Sequence, residues 1–70
     1  MNETQTKIVA AVDKAGGVAT WEQAIADLDL RERERALREM RGLEKQDVLK
    51  RVNRFDAETK KVTFTIEKVS

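Results

Sequence analysis

Thr20-Trp21-Glu22-Gln23-Ala24-Ile25-Ala26-Asp27-Leu28-Asp29-Leu30-Arg31-Glu32 contains two helix starts in close succession. The Thr20 side chain can accept from the backbone N–H of Gln23 while the Gln23 side chain reaches back to Thr20, and Asp29 and Glu32 can do the same. Trp21, Ala24, Ile25 and Leu28 recur at i, i+3, i+4 and i+7, which predicts an amphipathic helix over about 21–28. The second start predicts a helix over about 30–46, so only a few residues around Leu28–Leu30 remain for the turn between them.

On the N-terminal side, Ile8, Val9, Val12 and Ala15 form one apolar stripe and predict a helix over about 4–15. Gly16-Gly17 suits the left-handed backbone that ends a helix. Val18-Ala19 is then a short extended link, at most one strand-like bridge. On the C-terminal side, Asp47 closes the third helix, because Asp tolerates left-handed geometry better than most residues. Val48 to Phe55 is strand-like with mixed faces. A second strand is expected over about 61–68, where Val62, Phe64 and Ile66 alternate with Thr63, Thr65 and Glu67. The connection Asp56-Ala57-Glu58-Thr59-Lys60-Lys61 is similar, as turn chemistry only, to the last hairpin turn of the protein G immunoglobulin-binding domain.

Seventy residues make one domain, 1–70, and a chain this short buries only ~60 % of its unfolded surface. There is no Cys and no His, which removes disulfides, thiolate metal sites and imidazole acid–base chemistry. No cofactor is expected, and no nucleophile–base pair or phosphate loop points to an enzyme. No apolar run approaches the ~20 residues of a membrane span, and Met1-Asn2-Glu3-Thr4-Gln5 is unlike a signal peptide, so a cytoplasmic chain without a membrane role is expected.

The net charge is only +1 but is unevenly placed. Residues 1–30 carry two cations against five anions, and residues 31–70 carry twelve against eight. A polyanionic partner for the second half is the implication.

The order helix, link, helix, tight turn, helix, hairpin resembles the winged helix-turn-helix superfamily of small bacterial, archaeal and phage regulators. The resemblance is carried by Gly17 to Leu28, by Met40 and Leu43, and by Asp47-Val48-Leu49-Lys50-Arg51-Val52, and it spans Thr4 to Lys68. It implies an α+β fold, a three-helix bundle followed by a two-stranded antiparallel β-hairpin wing. It implies double-stranded DNA as the partner, with the third helix in the major groove and the second bracing it across the backbone. The family usually has Gly where Asp47 stands, and often Ser or Thr where this chain has Arg31-Glu32-Arg33-Glu34-Arg35.

The cations of the third helix are its informative feature. With Leu37 at zero and about 100° per residue, the apolar residues Leu30, Ala36, Leu37, Met40 and Leu43 centre near about −50°. The opposite crest, near about 130°, holds Arg31, Arg35, Arg38, Gly42 and Lys45, with Glu32, Glu34 and Glu39 on the flanks. Arg31 and Arg35 are like charges one turn apart, which a helix shaped only for stability would avoid. Arg35 and Arg38 are the leading candidates for base or phosphate contacts, since the guanidinium fork matches both. Arg31 and Lys45 are phosphate candidates, and Gly42 would allow close backbone approach to DNA. By the family resemblance Lys60, Lys61 and Arg54 are wing candidates.

Two alternatives stand beside this reading. Arg31–Glu34, Glu34–Arg38 and Arg35–Glu39 could instead form a solvated, ion-paired face. A winged helix can also serve as a protein-interaction module, which a contiguous exposed apolar patch would favour. A homodimer would need the first helix or the hairpin edge.

Overall fold

A computed structural model describes residues 1–69. Helix α1 (Glu3–Lys14) starts at Asn2, whose side chain accepts from Gln5 N–H while the Gln5 side chain accepts from Asn2 N–H. That cap starts the helix one residue earlier than the apolar stripe suggests. Gly16 and Gly17 end it with φ of 85° and 93°. Strand β1 (Val18–Thr20) leads directly into α2 (Trp21–Ala24).

Both caps legible in the sequence are formed. Thr20 Oγ1 accepts from Gln23 N–H and Asp29 Oδ1 from Glu32 N–H, each with the reciprocal bond. Helix α2 is nonetheless one turn, not the expected 21–28, because Ile25 already caps it and Leu28 N–H bonds to Ile25 C=O in a separate turn. Leu28 stays buried at the end of that turn. Helix α3 runs Leu30–Lys45, and Asp47 closes it with φ 57°.

Strands β2 (Leu49–Asp56) and β3 (Lys61–Lys68) form the C-terminal hairpin. The sheet has three strands rather than the expected two, in the antiparallel order β1-β3-β2, since Val18–Thr20 pairs with Thr65–Glu67. A three-residue strand whose partner lies far along the chain leaves little periodic signal. Ile8, Val12, Ala19, Ala24, Leu28, Ala36, Met40, Leu43, Leu49 and Ile66 form one core between helices and sheet. Trp21 and Phe64, each on an apolar stripe of the sequence, are half-buried at its rim with ring centroids 6.3 Å apart. Phe55 lies far out on the hairpin and is exposed. Among the described residues, no helix is long and apolar enough to cross a membrane.

Candidate nucleic-acid interface

The rotation of α3 differs from the expected one. Its buried residues are Glu32, Ala36, Met40 and Leu43, whereas Leu30 and Leu37 are 79 % and 57 % exposed. On the same angular scale the inward direction is about −105°, so the helix is turned by roughly 55°. The cause is Glu32. Its carboxylate takes Lys7 Nζ at 3.0 and 3.1 Å, Asp29 N–H at 3.2 Å and the Thr4 hydroxyl at 3.3 Å. With its charge paired across to α1, the side chain can occupy a buried position that an unpaired carboxylate could not. The hydrogen bond from Lys7, then that from Asp29, holds the Glu32 carboxyl below the usual range against the opposing effect of desolvation. Lys7 is raised in turn, first by its bond to Glu32.

The turned helix presents a different outward stripe. Arg31, Glu34, Arg38, Arg41 and Lys45 all lie within about 45° of the outward direction. All five are exposed. Leu37, Arg38, Arg41, Gly42 and Lys45 line one shallow recess on this side. Arg31, Arg38 and Lys45 are thus brought together as expected, and Arg41 joins them. Sequence reasoning misses Arg41 because Leu30 and Leu37 look inward. Ala36, Met40 and Leu43 alone would have set the phase.

Arg35 is carried to the α1 side, where it lines one recess with Glu3, Lys7, Asp29, Glu32 and Glu39. Gly42 is half-buried against α1 rather than open on the crest: a Cβ there would sit 2.8 Å from Gln5 Nε2. The close approach it permits is that of α1. The Arg33 guanidinium donates to the carbonyls of Leu28 and Ala26 and so closes the α2–α3 turn.

The pairs of an ion-laced helix do not form. Among the described residues, none of Arg31, Arg35, Arg38, Arg41 and Lys45 lies within ion-pairing distance of a carboxylate. Glu39 accepts instead from the Asn2 amide at 2.6 Å, and Glu44 pairs with Arg51 at 2.8 Å.

On the hairpin, Lys60 and Lys61 stand exposed at the tip, Lys60 with φ 56°. The Asp56 carboxylate beside them accepts from Glu58 and Thr59 N–H and is turned into the turn itself. Arg54 alternates with the core-facing residues of β2, so it lies on the sheet face turned away from the helices. There it approaches Glu67 at 3.9 Å and donates to Thr65 Oγ1 at 3.5 Å. The structure therefore does not join it to the α3 stripe.

No protein-family model matches the chain, and no curated protein or solved structure matches it either.

Proposed function

We propose that this chain is a winged helix-turn-helix domain that binds double-stranded DNA and acts as a sequence-specific regulator, with α3 in the major groove. The observation that carries this reading is the row Arg31, Arg38, Arg41 and Lys45. These are four exposed cations without carboxylate partners on one side of one helix. Arg38–Arg41 and Arg41–Lys45 are like-charge neighbours at i, i+3 and i, i+4, a small cost in stability that a polyanion would reverse. Arg38 and Arg41, central in the row, are the base-reading residues. Arg31 and Lys45, at its ends, take phosphates, and the wing tip adds Lys60 and Lys61. The order of helices and strands agrees with the family resemblance in the sequence. Enrichment of bound duplexes from a random pool, followed by titration, tests the reading. A recovered consensus that wild type prefers supports it, and no enrichment at low salt rejects it.

A specific observation favours the second reading, a protein-interaction module. Phe55 and Val62 face each other across the hairpin, are 67 % and 69 % exposed, and continue along the same sheet face into half-buried Phe64 and Trp21. That patch is the feature expected of a protein-docking surface.

A further inference from the structure

We propose that two copies of this chain pair through the open edge of β2, antiparallel about Asn53, each seating its Phe55 against the Arg51 of the other. The proposal concerns the hairpin edge alone and stands or falls separately from DNA binding.

The edge is open because β2 lies outermost in the order β1-β3-β2. The bond from Val69 N–H to Val48 C=O fixes which groups it offers. Hydrogen-bonded and non-bonded pairs alternate along an antiparallel ladder, so Lys50, Val52, Arg54 and Asp56 bond to β3. Leu49, Arg51, Asn53 and Phe55 turn their N–H and C=O groups outward. An eight-residue edge with such a row is a template for another strand.

A two-fold dimer needs an edge complementary to itself. Matching the outward groups of two copies allows only centres two-fold on a single residue, and the side chains choose among them. Centred on Asn53, Lys50 faces the partner's Asp56, Arg51 faces the partner's Phe55, and the two Asn53 amides meet. Centred on Val52, Lys50 faces the partner's Arg54. Centred on Arg54, two Arg54 face each other. Like charges directly opposite are destabilising, and of these three centres only Asn53 opposes none, while a centre on Phe55 would overlap only residues 54–56 of each strand.

That register also accounts for the exposed ring. A recess of about 670 Å³ at the base of β2 is lined by Glu44, Leu49, Arg51 and Asn53, among others. The incoming Phe55 lands opposite Arg51 and thus at this recess. Arg51 is already held for it, paired with Glu44 at 2.8 Å and set 5.9 Å from the centre of the Phe64 ring. Its guanidinium can take a second aromatic ring.

The chain has no cysteine, so single cysteines report the register. Residues facing their own copies in a bonded pair have Cα atoms about 5.5 Å apart, within disulfide reach. Under mild oxidation Asn53→Cys should form a covalent dimer, and Val52→Cys and Arg54→Cys should not. Sedimentation of the cysteine-free protein should show a monomer–dimer equilibrium. Phe55→Lys, which sets a cation against Arg51, should weaken that equilibrium by about tenfold or more while keeping the circular dichroism spectrum of wild type. A chain that stays monomeric at every concentration overturns the proposal. So does cross-linking through Val52 or Arg54 instead of Asn53, or a dimer indifferent to Phe55→Lys. If the protein is monomeric and Phe55→Lys lowers DNA affinity despite the added cation, the exposed ring belongs to DNA and the dimer is rejected.

Discussion

Lys7 Nζ lies 3.0 Å from Oε1 and 3.1 Å from Oε2 of Glu32, joining α1 to the first turn of α3. Because Glu32 is buried and also holds the Asp29 cap, this pairing satisfies the one charged residue on the inward side that Ala36, Met40 and Leu43 define, and so holds the rotation that turns the row of cations outward.

The pair makes stability pH-dependent at both ends. The Glu32 carboxyl is lowered from 4.5, so its contribution is present above that value and is lost as pH falls through the lower folded-state value. Lys7 is raised from 10.5, so its contribution is present below that value and is lost as pH rises through the higher folded-state value. Melting temperature measured against pH should fall in acid for wild type and fall less for Glu32→Gln, which starts lower at neutral pH. Parallel acid limbs for the two proteins would remove Glu32 from this role.

Gly42 should tolerate little bulk. Leucine is a good helix former, so any loss in Gly42→Leu reports packing against Gln5 rather than helix propensity. A loss of ~1–3 kcal/mol is expected, the range for overpacking. Denaturant unfolding checks it. A variant more stable than wild type by the ~0.5–1 kcal/mol that leucine gains over glycine in an open helix would place Gly42 back on an open surface.

Trp21 packs at the rim of the core rather than within it, so Trp21→Ala should cost about 2–3 kcal/mol, less than full burial would give. Urea titration by circular dichroism measures this. A change under ~0.5 kcal/mol would leave the ring free for a surface role.

Under the proposed DNA reading, the hairpin tip should add affinity without discrimination. Lys60→Ala with Lys61→Ala should weaken preferred and scrambled duplexes equally, and the slope of log K against log[salt] should shrink by up to ~2. A loss confined to the preferred duplex would make these lysines base readers.

Local signals in the sequence are the legible ones. The Thr20–Gln23 and Asp29–Glu32 caps, the left-handed turns at Gly16-Gly17 and Asp47, and the Val62–Ile66 alternation each depend on neighbours in the chain. What depends on distant residues is not legible. Glu32 looks like a solvated flank until Lys7 is placed beside it. Leu30 and Leu37 look inward until Glu32 takes that side. Val18–Thr20 reads as a link until β3 pairs with it. Arg35 moves toward α1, Gly42 becomes the half-buried margin of the candidate surface, and Arg41 enters it, through that one rotation of α3.

Fluorescence anisotropy of the Arg38→Ala, Arg41→Ala double variant, titrated against the enriched duplex and a scrambled one, tests DNA recognition by α3 most directly. Both side chains are exposed and unpaired, so the variant should melt like wild type. Its preference for the enriched duplex should fall by ~1–3 kcal/mol for each guanidinium that bonds a base edge in bidentate fashion. Wild-type affinity and preference in this variant would contradict recognition by α3 and leave its cations as a solvated face.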